Sequence, residues 1–390
     1  MKRRKICVVT TSRADFGLLR GLMRAIHGDP ALRLQVIASG MHLAQEFGQT
    51  WREIESEGIK IDRKVRMGLT GSSSLSNVKS ISRGLNGFGD AFAELKPEIV
   101  VLLGDRFELL APSISALMLQ IPIAHIHGGE LSEGAIDDSV RHAITKMASL
   151  HFAATEPYRR RIIQMGESPD RVFNFGAPGL DQIYHSDLLS KSQLEQELGF
   201  PLKDPVALVT YHPVTRDRDS ALVQVKCLTA AIKSRGIMTL FTMANADAQG
   251  AVINSHLQKA CAENPDQFKW VPHLGHRRYL SCLKHFAVMI GNSSSGLTEA
   301  PSFRLPVVNI GDRQRGRVRA ANIIDVPCAQ AAIEGGIKRA LSSRFQNSIR
   351  GMNNPYDRFH DGSAGDKIKN TLKETDTCEY LLKKHFKDFR

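Results

Sequence analysis

No stretch of this 390-residue chain approaches the ~18 unbroken apolar residues that a membrane span requires. The N-terminus, MKRRKICVVTTSRAD, starts like a signal peptide, but its apolar run is only ICVV before polar residues resume. It reads as the first strand of a cytoplasmic protein. Six cysteines are scattered with no C-x-x-C pair, which argues against a disulfide framework or a zinc cage and for reduced, buried thiols. Aromatics make up only 6% of residues, too few for the stacking platforms of a nucleic-acid binder. The net charge of +12 is dispersed except at KRRK (2–5) and the series Arg313, Arg315, Arg317, Arg319. An anionic small molecule suits that distribution better than nucleic acid.

An ordinary balance of 42% apolar and 24% charged residues remains, in a chain long enough for two cores. Strand-like runs alternate with helical patterns throughout. KICVVTT precedes a helix in which Leu18, Leu19, Leu22, Met23 and Ile26 share one face. LRLQVIAS precedes a helix expected from about Ala44 to Glu57, EIVVLLG precedes LLAPSISALMLQ, and IPIAHIH precedes DDSVRHAITKMASL. The pattern predicts α/β architecture with parallel sheets. GAPGLDQI, from Gly176, breaks the rhythm, so the boundary is expected at 177/178. A second α/β series follows to 371, with a helix from about Gly296, and a final helix over 372–390 is expected to pack back on the first domain. Two doubly wound, Rossmann-like domains would face a cleft, with ligands beyond the carboxyl ends of the strands.

The residues at those ends carry the chemistry. In SRADFG, Arg13 and Asp15 stand where a dinucleotide site would carry glycines. SGMH ends at His42. GDRFE puts Asp105, Arg106 and Glu108 after a buried strand, where Asp105 or Arg106 could also be helix caps. HIHGGELSEGAIDDSVRH is harder to explain by capping alone. His125 and His127 would share a strand face, two glycines follow, then Glu130, Glu133, Asp137 and Asp138, with Asp137 and Arg141 at helical i,i+4 spacing. A metal set of His125, His127, Glu130 and Asp105 lacks paired-ligand spacing. Carboxylates in a partly closed cleft suit proton abstraction. In the second half, VALVTYHP exposes His212 at a strand end as a candidate acid or base. GNSSSGLTEAP offers Ser293, Ser294, Ser295 and a helix N-terminus to phosphate. Glu299 is positioned for vicinal ribose hydroxyls, and Arg313 for the same phosphates. The layout is that of a nucleotide-sugar enzyme.

TSRADFG, SGMHL, LLGDRFE, HIHGGELSEGAIDDSVRHAITK, GAPGLD, TYHPVTRD, GNSSSGLTEAP and NIGDRQRGR, in that order, resemble the hydrolysing branch of the UDP-N-acetylglucosamine 2-epimerases over residues 5–370. The G-T-R-P-E, H-V-E-A-G and H-R-R-E-N motifs of the non-hydrolysing branch do not occur. The resemblance implies a glycosyltransferase B-type fold, no metal and no cofactor, and self-association as a homodimer or homotetramer. It also implies loss of the C2 proton with departure of UDP, then hydration of the 2-acetamidoglucal to a free, 2-epimerised sugar. UDP-N-acetylglucosamine is the default substrate, with a UDP-2,4-diacetamido-2,4,6-trideoxy sugar as the alternative. Asp105, Glu130, Asp137 and His212 take catalytic places by this resemblance. Arg13, His42, Arg106, His127, Arg141, Asn245, Ser293, Ser294, Ser295, Glu299 and Arg313 take substrate-binding ones. Many relatives carry a catalytic glutamate at the place of His127, which leaves the base open among Glu130, Asp105 and Asp137. A B-fold glycosyltransferase and a nucleotide-sugar sensor without turnover are the rival readings.

Overall fold

The computed structural model describes residues 3–69, 74–132, 136–213, 220–244, 249–376 and 378–388. The chain forms two units, Met1–His185 with Tyr356–Arg390, and Ser186–Pro355.

In the first unit the β-branched runs become seven parallel strands: β1 (Arg4–Thr10), β2 (Leu32–Ser39), β3 (Arg63–Val65), β4 (Ile99–Leu103), β5 (Ile123–Ile126), β6 (Leu150–Ala153) and β7 (Val172–Asn174). Their order is β3-β2-β1-β4-β5-β6-β7. Every residue of β4 and β5 is buried, as expected of parallel strands covered by helices on both faces. Ile6 and Val8 join one core with Leu19, Leu22 and Ile26 of helix Arg13–Gly28. Cys7 and Val9 join the other with Phe88 and Phe92. Alternate side chains of one strand thus serve opposite faces of the sheet.

The second unit repeats the plan with β8 (Val206–Thr210), β9 (Met238–Thr242), β10 (Phe268–Val271), β11 (Val288–Gly291), β12 (Val307–Ile310) and β13 (Ile323–Val326), ordered β10-β9-β8-β11-β12-β13. In each unit the winding reverses beside the first strand. β1 pairs with β2 and β4, and β8 pairs with β9 and β11. Such switch points part the loops on either side and leave a crevice at the strand ends. Among the described residues, no helix is long and apolar enough to cross a membrane.

Several boundaries differ from expectation. The helix sought over 44–57 is confined to Trp51–Ser56, after two 3-10 turns, because Gly48 and Gln49 take left-handed φ angles of 79° and 51°. The helix after GNSSS spans only Ser295–Thr298 and gives way to a 3-10 turn over Ala300–Phe303, since Pro301 has no N–H for a further turn. The GAPGLD segment belongs inside the first unit. Gly179 lies against Leu18, where a Cβ would collide, and the Gln182 side chain donates to the Gly17 carbonyl. Asp181 accepts from the amides of Ala364 and Gly365 at 3.1 and 2.6 Å. The units therefore divide at 185/186, and the chain rejoins the first unit from Tyr356 rather than 372. In place of one helix over 372–390 there are helices Ala364–Glu374 and Cys378–Leu382, then irregular chain. This C-terminal segment is pinned where Lys384 meets Glu167 at 2.8 Å and Arg171 donates to the carbonyls of Tyr380, Leu381 and Lys383.

Candidate functional site

The turn after β1 is built by its acid. Asp15 is buried and accepts from the Thr11 amide at 3.1 Å, the Thr11 hydroxyl at 2.6 Å and the Ser12 hydroxyl at 2.8 Å. These bonds do the work that glycines do in a dinucleotide-binding turn, fixing the chain as it enters the helix. Arg13 is left at the rim, with Nε 3.0 Å from Glu53 Oε2. His42 is fully buried. Its Nε2 meets Thr10 Oγ1 at 3.0 Å and its Nδ1 meets Thr50 Oγ1 at 2.8 Å. Burial pushes its pKa down to about 4, so this neutral ring ties β1 to the segment after β2.

At the end of β4, Arg106 provides no side-chain cap. Its Nη2 donates to Glu108 Oε1 at 2.7 Å and lies 3.2 Å from Met41 Sδ. Glu108 is fully buried, so Arg106 is held from behind by a carboxylate that water does not reach. Asp105 points to Arg141, the largest fully buried side chain described. Arg141, 1% exposed, also donates to the Glu130 carbonyl and the Ser132 hydroxyl, both at 2.9 Å, and reaches Asp138 at 3.5 Å. The guanidinium fork thus joins the β4 end, the loop after β5 and helix Ile136–Met147. Asp137 sits half-buried in the first turn of that helix.

The two histidines of HIHGGE part company. β5 ends at Ile126, and His127 has φ +65°, which turns it off the face that a continuing strand would have given it. His125 is fully buried, with Nε2 donating to the Gly104 carbonyl at 2.8 Å and Nδ1 3.2 Å from Thr145 Oγ1. Burial lowers its pKa to about 3, so it acts as a brace between strands. His127 Nδ1 lies 2.7 Å from Glu130 Oε1, in the neighbourhood that Arg141 organises.

In the second unit the organiser is Asn292, which the sequence reading passed over in favour of the serines beside it. Its buried amide accepts from the His212 backbone N–H at 2.7 Å and donates to the His212 carbonyl at 2.8 Å, clamping the ends of β8 and β11 together. Its own carbonyl accepts from Arg313 Nη1 at 3.1 Å and Gln314 Nε2 at 2.9 Å. Gly291, at φ +138°, leaves no room for a Cβ against the Thr210 carbonyl. His212 is not the exposed strand-end group expected. It is buried, and burial followed by the nearby Arg313 charge lowers its pKa to about 3. It is therefore neutral at physiological pH. Ser293 and Ser294 remain partly exposed. Ser295 is buried and accepts from Tyr279 Oη at 2.6 Å. Glu299 is partly buried and accepts from Thr298 Oγ1 at 2.5 Å. Asn245 and Glu133 lie outside the described residues.

The first unit thus gathers carboxylates, an imidazole and two arginines at its strand ends, which is equipment for moving protons under electrostatic control. The second gathers backbone amides, hydroxyls and Arg313, which suits an anion. Serine, glycine and arginine signals in the sequence pointed to these places. Nothing in the local pattern marked Asn292 or Ser132, whose roles come from distant partners.

Residues 24–373 match the family model described as UDP-N-acetylglucosamine 2-epimerase. The chain is 45% identical over 326 residues to the GDP/UDP-N,N'-diacetylbacillosamine 2-epimerase (hydrolyzing) of Campylobacter jejuni, covering 83% of this chain and 85% of that protein. It is 38% identical to the UDP-N,N'-diacetylbacillosamine 2-epimerase (hydrolyzing) of Legionella pneumophila, covering 87% and 89%. Among solved structures, the UDP-GlcNAc 2-epimerase of Methanocaldococcus jannaschii, crystallised with UDP-GlcNAc and UDP, superposes with a TM-score of 0.79 at 17% identity, covering 95% of this chain and all of that one.

Proposed function

This chain belongs to the UDP-N-acetylglucosamine 2-epimerase family, and from that premise we propose that it is a hydrolysing 2-epimerase of a nucleoside-diphosphate sugar. The likeness to the Campylobacter and Legionella enzymes favours the alternative substrate over the default. It points to a UDP-2,4-diacetamido-2,4,6-trideoxy sugar, the N,N'-diacetylbacillosamine type, ahead of UDP-N-acetylglucosamine. A base takes the proton from C2 while the C1–O bond to the diphosphate breaks, leaving a C1=C2 double bond. Water then adds, with hydroxyl to C1 and a proton to C2, and releases a free sugar inverted at C2.

The observation that carries this reading is the network centred on Arg141. An unactivated C–H requires a positioned base, and the departing diphosphate requires compensating charge. Asp105, whose carboxylate meets the buried Arg141, Glu130, whose backbone carbonyl Arg141 holds, and Asp137, one turn before Arg141 on the same helix, are candidates for the first need. Arg13 and Arg106, at strand ends of the same unit, offer cations for the second need. Proton NMR of the products formed in deuterated water from each of the two UDP-sugars tests the proposal. Free 2-epimerised sugar carrying deuterium at C2 supports elimination and hydration, and faster turnover of the diacetamido substrate supports the ranking. A product that keeps its C2 proton overturns the mechanism.

A further inference from the structure

We propose that His127 is the base that removes the C2 proton, through Nε2, and that Glu130 is its positioning residue. This inference rests on the activity proposed above.

The backbone supplies the first argument. Gly128 and Gly129 are glycines for reasons of space. A Cβ at Gly128 would lie 3.1 Å from both His125 Nδ1 and Thr145 Oγ1, and one at Gly129, where φ is +76°, would strike the Tyr158 carbonyl. His127 occupies the same left-handed region at φ +65°. Glycine would be the unstrained residue there too. A strained side chain persists where its surroundings overdetermine it, and such positions cluster at working sites. The imidazole is therefore retained at a position where folding alone would favour glycine.

The ring's hydrogen bonds supply the second argument. Glu130 Oε1 lies 2.7 Å from Nδ1, and a carboxylate there accepts, so the neutral ring carries its proton on Nδ1 and its lone pair on Nε2. Among the described residues Nε2 is buried with no hydrogen-bond partner, although the side chain as a whole keeps 14% of its surface. A polar atom sealed without a partner is costly, and a ligand that supplies the partner recovers the cost. His125 and His42, by contrast, use both nitrogens within the protein. Asp105 is engaged by Arg141. A lone pair on one nitrogen and an orienting carboxylate on the other is the arrangement that makes an imidazole a general base.

The step balances. The C2 proton passes to Nε2, the C–H electron pair becomes the second bond between C1 and C2, and the C1–O pair departs with the diphosphate. The imidazolium that forms is stabilised by Glu130, whose backbone carbonyl is fixed by Arg141 at 2.9 Å. The titratable and charged groups on the surrounding elements are Asp105 after β4, the neutral His125 on β5, Asp138, Arg141 and His142 on helix Ile136–Met147, and Arg161, which donates to the Gly129 carbonyl.

The test compares wild type with His127→Gln, His127→Asn and Glu130→Gln in the full chain, with the UDP-diacetamido sugar as substrate and UDP as inhibitor. Asparagine tolerates left-handed φ, so it guards against misfolding. Both His127 variants are expected to lose about 10²–10⁴-fold in kcat while the UDP inhibition constant changes less than about threefold. Glu130→Gln keeps the acceptor but loses the charge, so the acid limb of its kcat–pH profile is expected to move to lower pH. A merely structural contact would leave that limb in place. Wild-type turnover supports the activity independently. With turnover in hand, either His127 variant retaining more than about a third of kcat overturns the assignment to His127 alone. An unmoved limb in Glu130→Gln overturns the positioning role, and a wild type that releases no UDP overturns the activity and the assignment together.

Discussion

Replacing Arg141 by methionine tests whether the buried guanidinium is the structural centre of the first unit's strand-end cluster. Methionine keeps the apolar stem of arginine and removes the fork. Removing one partner of a buried ion pair costs about 3–5 kcal/mol when the other charge is left stranded. Here the stranding is partial. Asp105 and Asp138 keep 24% and 30% of their side-chain surface, so water can rehydrate both carboxylates. The Glu130 carbonyl and the Ser132 hydroxyl each lose a donor at 2.9 Å. The expected loss is therefore at the low end, about 3 kcal/mol. In a unit of this size that lowers the melting temperature by roughly 6–12 °C. Calorimetry, with and without UDP, reads the unfolding of the two units. A double-mutant cycle with Asp105→Asn is expected to give a coupling of about 1–3 kcal/mol. A stability change below about 0.5 kcal/mol with no coupling would refute the account of Arg141 as the joining element.

Three further outcomes follow from other parts of the chain. Burial alone would raise the pKa of Glu167, but hydrogen bonds from His151, Lys146 and Lys384 outweigh it and hold the carboxyl at about 2. Its contribution, up to about 3 kcal/mol, is present above the ordinary carboxyl range and lost as pH falls toward 2. Glu167→Gln should abolish that acid dependence in urea melts between pH 4.5 and 2, and an unchanged slope would contradict the assignment. Asp181 behaves oppositely: burial raises its pKa to about 6 despite the amides of Gly365 and Ala364. The stability it contributes is full below its unfolded pKa of 3.8 and is lost as pH rises through 6. Asp181→Asn should therefore flatten the change of stability with pH over that window, and an unchanged slope there would count against this. Gly291→Ala drives a Cβ into the Thr210 carbonyl at φ +138°. It should cost about 3 kcal/mol or more and weaken UDP binding, because the β8 and β11 ends that Asn292 clamps must separate. A melting point within a degree of wild type would refute it.

The sequence by itself determined the two α/β series, because runs such as EIVVLLG and FAVMIG and the helical face from Leu18 to Ile26 are periodic on the scale of a few residues. It also determined where chemistry would gather, since a buried strand followed by small or charged residues marks a strand end wherever it occurs. Tertiary structure alone decided what each polar residue does there. His42, His125 and His212 read alike as strand-end histidines, yet burial among partners 8 to 80 residues away leaves all three neutral. Asp15, which stands where a dinucleotide site would carry glycine, builds its own turn. GAPGLD looked like a boundary because glycine and proline break local periodicity. Its glycine is small because Leu18 lies against it, which no window of neighbouring residues records. Periodicity is local, and so the fold was legible. Desolvation and hydrogen-bond partnership are set by residues distant in the chain, and so the roles within the site became visible only once the chain was folded.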